Sequence, residues 1–159
     1  MALGDITIYD EGAFGYPGDT EYVNTSRSVI YAGEPVAKAL GNTNGYYVDA
    51  AATASPEVGT HYMAGIAATS CAVSAKVKVM KLVPGVTYLI SPLDSTAWDT
   101  QAEYDALVGS RVLFDLTTGT YTIGHTDGAG YGLVVMPLNI RKYHHKVRFA
   151  IRKAVNYLA

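Results

Sequence analysis

Hydrophobic and polar residues alternate most cleanly over residues 73–79. There Val73, Ala75, Val77 and Val79 fall on one side and Ser74, Lys76 and Lys78 on the other. A period of two is that of a strand with one face buried and one face in water. This pattern predicts a strand over 73–82, and shorter runs predict others at 29–31, 36–39, 46–50, 63–67, 86–90, 111–116, 120–124 and 132–136. Turn chemistry separates them: Gly41-Asn42-Thr43-Asn44-Gly45 forms a loop, Pro84-Gly85 a turn, and Thr117-Thr118-Gly119 a short hairpin connection. Residues 146–152 alternate as well, Val147, Phe149 and Ile151 against Arg148, Ala150 and Arg152. Their β-branched and aromatic content predicts a strand, although part of the tail also fits helical spacing.

One internal helix is predicted at 101–107. Thr100 and Glu103 form a capping-box pair around its first turn, and Gly109 stops it. Many short strands with one short helix predict an all-β fold, a small barrel or sandwich. The first residues read differently. Gly12, Gly15, Pro17 and Gly18 interrupt Tyr9, Phe14, Tyr16 and Tyr22, which predicts an irregular arm over 1–28 attached to a body over 29–159. Aromatic anchors imply that such an arm lies on its own body or on a neighbour.

Composition narrows the function classes. With 159 residues, 49% hydrophobic and 16% charged, the chain fits one domain with a real core and is too apolar for a disordered protein. No apolar run is long enough for a membrane helix, and no membrane partner is expected. The start, Met1-Ala2-Leu3-Gly4-Asp5, lacks the basic and apolar stretches of a signal peptide, so synthesis in a cytoplasm is expected. One cysteine, Cys71, rules out a disulfide framework and reads as a packing residue. Charge is uneven. Residues 128–159 hold six basic side chains and no acid, whereas Asp5, Asp10, Glu11, Asp19 and Glu21 stand near the start without a base. An acidic start and a basic end imply complementary contacts within one chain or between copies.

Candidate chemistry is sparse. His61, His125, His144 and His145 read as loop histidines, and His125 with Asp127 makes only a permissive pair. No nucleophile elbow, phosphate loop or dinucleotide fingerprint is present in the sequence. Asp94 and Asp99 flank Trp98 and supply a carboxylate pair for a weaker hydrolase reading. No enzyme activity, cofactor or metal is expected. The basic tail with Tyr143, Phe149 and Tyr157 suits phosphate contact, but a pI of about 6.0 argues against nucleic acid as the main partner. Thirteen tyrosines against three phenylalanines and one tryptophan is a skew toward residues used at interfaces. Carbohydrate surfaces use aromatics too. A carbohydrate-binding β-sandwich adhesion module, with Trp98 and the tyrosines as a stacking platform, is therefore the alternative.

The order of elements over residues 29–152 resembles the small β-barrel capsid cement, or decoration, proteins of tailed bacteriophages. The matching pieces are Gly33-Glu34-Pro35-Val36, Met63-Ala64-Gly65-Ile66-Ala67 and the alternating strand that runs into Pro84-Gly85-Val86. They continue through residues 108–115, the hairpin partner at 120–123, and 130–137 before the basic strand. The resemblance implies a non-enzymatic protein on the outer surface of a mature icosahedral virion, a homotrimer bridging neighbouring major capsid subunits. On this reading Tyr9, Phe14, Tyr16 and Tyr22 anchor the arm on the capsid or a sister subunit, and Arg148 and Arg152 meet acidic groups across an interface. Removal of residues 2–24 is then expected to leave the body folded, and added salt to weaken assembly.

Overall fold

The computed structural model describes residues 6–10, 12, 18–25, 29–39, 47–50, 56–93, 95–117 and 120–155. Twelve strands and one α-helix are built from them. The strands are β1 (Thr7–Asp10), β2 (Asp19–Asn24), β3 (Pro35–Ala39), β4 (Tyr47–Ala50), β5 (His61–Ala67), β6 (Lys76–Lys81), β7 (Thr87–Ile90), β8 (Arg111–Val112), β9 (Phe114–Thr117), β10 (Thr120–Ile123), β11 (Leu133–Val135) and β12 (Val147–Ile151). Helix α1 spans Gln101–Leu107. The expected all-β class with one short helix is what the chain forms.

Five strands close a barrel in the order β2-β4-β3-β5-β6. Closure removes the sheet edges that would invite unwanted pairing. Val77 and Val79 of β6 point inward with no exposure, as the alternation predicts, beside Tyr22, Val36, Val48 and Cys71. The strand starts at Lys76 rather than residue 73 because Ser74 is left-handed (φ 61°). Its amide donates to the Asn24 carbonyl instead of continuing a ladder. Gly65 lies beside a bulge between β3 and β5, and a Cβ there would overlap the Met80 carbonyl oxygen.

The second layer is an open antiparallel sheet, β1-β7-β12-β11-β8, with the hairpin β9–β10 beside it. Its central strand β12 alternates as expected: Val147, Phe149 and Ile151 are buried, Arg148 and Ala150 only partly so. Phe149 stacks on Tyr88 (5.5 Å) and meets Phe114 edge-on (5.5 Å, 88°), which ties the open sheet to the hairpin. The expected strand 111–116 splits at Leu113. Its two halves, β8 and β9, join different sheets. Residues 29–31 contribute a single bridge, Ile30 to Cys71, and the tail after β12 turns into a 3₁₀ helix at Lys153–Val155.

The N-terminal arm needs correction where it is described. Thr7–Asp10 is an edge strand paired with β7, and Asp19–Asn24 is a barrel strand paired with β6 over five positions. Pairing partners more than 50 residues away supply hydrogen bonds that local glycine and proline content does not reveal. Removing residues 2–24 would therefore delete a barrel strand and would not leave an intact body.

The capping box on α1 is present. Thr100 Oγ1 accepts from the Glu103 amide (3.2 Å), and Glu103 Oε2 accepts from the Thr100 amide (3.0 Å). The Thr100 hydroxyl also donates to Glu103 Oε2 (2.8 Å), and this bond, with the one from the Thr100 amide, holds the Glu103 carboxyl below its usual pKa. Thr100→Ala is expected to cost about 0.5–2 kcal/mol of stability, readable as a shifted urea midpoint at unchanged slope.

Candidate functional site: an aromatic and cationic face on the open sheet

The face forms at the edge of the open sheet, where β1 pairs with β7. Ile8 pairs with Tyr88 and Asp10 with Thr87, so Tyr9 is the extra residue of a bulge. Bulges re-aim side chains, and here Tyr9 lies over the basic strand. The Arg148 guanidinium sits 4.3 Å from the centre of the Tyr9 ring, a cation–π contact. Tyr143 meets Tyr9 edge-on at 5.1 Å, and the Lys142 ammonium lies 5.4 Å from the Tyr143 ring.

Arg148 is held from several sides. Its Nε donates to Thr87 Oγ1 (3.1 Å) and its Nη1 to the Pro137 carbonyl (3.1 Å), while Nη2 lies 3.9 Å from Asp10 Oδ2. Its backbone amide donates to the Tyr104 hydroxyl (3.0 Å), which in turn donates to the Met136 carbonyl (2.8 Å). The side chain keeps only 19% exposure. An arginine fixed this way loses little rotamer freedom when a partner docks. The interaction between the two tyrosine side chains raises the Tyr9 pKa and lowers that of Tyr143.

The acidic start and basic end thus meet inside one chain, at Arg148 and Asp10. Arg152 has a different role from the expected one. Its Nη1 donates to the carbonyls of Tyr131 (2.6 Å) and Ala129 (3.2 Å), bracing the loop that follows β10. Arg111 braces the same loop, with a two-pronged contact to Asp127 (3.1 and 3.2 Å), and Gly128 donates to the Arg111 carbonyl. These bonds lower the Asp127 pKa.

Tyr22 is a second correction. It is 4% exposed and packs inside the barrel opposite Val77, so it anchors no partner. Phe14, Tyr16 and Asp94 lie outside the described residues. Trp98 is wholly buried against Tyr104 and offers no stacking platform for a sugar. Cys71 is buried, as its small neighbours imply. His144 and His145 are exposed in a left-handed turn (φ 52° and 58°). Among the described residues no cluster of three metal-ligating side chains exists.

Of the expected anchors, the structure brings together Tyr9 and Arg148. Sequence reasoning missed Tyr143 and Lys142 as their companions. The only signal was their place in the basic tail, because the bulge that delivers Tyr9 to them is a long-range feature. Comparison with family models and with curated proteins returns no match for this chain.

Proposed function

We propose that the protein is a non-enzymatic capsid cement protein that binds the outer surface of a mature icosahedral shell and bridges neighbouring major capsid subunits, as a homotrimer. The observation that carries this reading is the Tyr9–Tyr143–Arg148 face. Tyrosine and arginine are the residue types that dominate binding energy at protein interfaces, and rigid ones cost least to dock. The resemblance in element order supplies the class of partner. Each copy would add a modest interface, and repetition over a shell would convert modest contacts into avidity. Binding the assembled shell in preference to free subunits would stabilise it by mass action.

Quantitative mass spectrometry of particles from the genome that encodes this chain tests the proposal. A copy number close to that of the major capsid protein is expected. A few copies per particle would point instead to a vertex or tail part, and absence from particles would end the reading.

A further inference from the structure

The turn between β11 and β12 carries Arg141, Lys142, His144 and His145, all exposed, and no acid. We propose that this turn docks on an acidic patch of the shell protein. The inference rests on the docking reading above, since Lys142 and Tyr143 belong to the same face, and it adds the partner's charge. These groups are free to take a partner. Among the described residues, Arg141, His144 and His145 make no side-chain hydrogen bond or ion pair, and Lys142 interacts only with Tyr143. Lys146 differs, because its ammonium already donates to Ser91 Oγ (3.0 Å).

The backbone supplies an independent observation. His144 and His145 are both left-handed (φ 52° and 58°), a conformation that suits glycine or asparagine better. Histidine there is unfavourable, and no side-chain contact among the described residues offsets it. Strain of this kind clusters at sites that hold a ligand or partner. The surroundings enforce it. The His145 amide donates to the Ile140 carbonyl (2.8 Å), the Lys146 amide to the Tyr143 carbonyl (3.1 Å), and the Ile140 amide to Gln101 Oε1 (3.2 Å). Leu138 and Ile140 are buried beneath. The backbone that carries the cations is therefore in place before a partner arrives.

Carboxylates fit these groups. Arginine and lysine pair with them, and an imidazole donates an N–H in either tautomer. The patch is also bounded by acids. Asp10 lies on the β1 side, 3.9 Å from Arg148. Asp105 lies on the α1 side, where Gln101 Nε2 donates both to its Oδ1 (2.7 Å) and to the Leu138 carbonyl (2.9 Å). Nucleic acid is bound by neutralising many phosphates along a basic stripe. A short cationic turn between acids suits a local acidic patch on a protein instead.

Co-sedimentation with expanded capsids stripped of this protein, at low and high salt and with urea unfolding alongside, tests it. His144→Asn/His145→Asn suits the left-handed turn and removes both imidazoles. It is expected to match or exceed the wild type in stability while binding capsids about three- to tenfold more weakly. Arg141→Gln/Lys142→Gln, at exposed positions, is expected to weaken binding by about the same factor and to flatten its salt dependence. Wild-type binding that ignores salt and both double substitutions would overturn the acidic partner and leave docking in place, whereas no wild-type binding would end both readings. An Asn variant that is less stable and binds equally well would assign the histidines to the turn and overturn the inference. Tighter binding to a dT oligomer than to polyglutamate of equal charge would overturn it in favour of nucleic acid. A changed oligomeric state with unchanged capsid binding would overturn it in favour of a sister subunit.

Discussion

Phe149→Ala is expected to cost roughly 3–5 kcal/mol of stability. Phe149 has no exposure, sits in the central strand of the open sheet, and touches Tyr88 on one side and Phe114 on the other. Truncation would remove the apolar area and both ring contacts, and leave a cavity where two sheets meet. Net stabilities of domains are about 5–15 kcal/mol, so the variant would retain a fraction of the original. Urea unfolding followed by circular dichroism measures the loss. A change below about 1 kcal/mol would mean that the two sheets do not share the core described.

The second large effect is alkaline. Tyr88, Tyr104 and Tyr121 are each pushed up to about 12 by burial. In the unfolded chain they ionise near pH 10. Below that pH both states hold the protons and the tyrosines contribute their full share. Between about pH 10 and 12 the unfolded state releases protons that the folded state keeps, so stability falls as pH rises. A rise from about 10 to about 12 corresponds to roughly 3 kcal/mol per group. Three such groups together rival the stability of a whole domain, and cooperative unfolding is expected within that window. Absorbance near 295 nm should show these tyrosines ionising together with loss of the far-ultraviolet signal. Ionisation of all thirteen tyrosines near pH 10 in a chain that stays folded would contradict this.

Local signals were the legible ones. The Thr100–Glu103 capping box, the inward valines of β6 and the alternation of β12 each depend on residues a few positions apart. The barrel, by contrast, depends on β2 finding β6 and β4, and nothing near Tyr22 announces that it pairs with Val77. Glycines and a proline around β1 and β2 hid two strands inside what reads as an arm. Trp98 presents the same difficulty. An aromatic between two aspartates resembles a surface feature until Tyr104 and the core cover it. Of the anticipated contact residues, Tyr9 and Arg148 share a face. Arg152 braces the loop that follows β10, a role invisible without the fold because its acceptors lie 21 and 23 positions earlier.

Charge patterning was informative about where contact occurs but not about between which molecules. Arg148 and Asp10 meet within one chain at 3.9 Å. Lys76 and Glu21 meet at 2.8 Å with side chains 71% and 53% exposed, a pair worth little in water. A salt dependence of assembly therefore does not follow from the acidic start and basic end alone. It would have to come from the partner's charges against Lys142 and Arg148.

The central claim is that the Tyr9–Tyr143–Arg148 face docks on a shell, and co-sedimentation with expanded capsids stripped of this protein tests it most directly. Wild-type chain and a Tyr9→Ala/Tyr143→Ala variant would be titrated onto the same shells, with unfolding curves confirming that both are folded. Hot-spot residues cost more than about 1–2 kcal/mol each when truncated. The account therefore predicts that the wild type saturates the shells and that the variant binds at least about tenfold more weakly. Equal binding by the two proteins would contradict it.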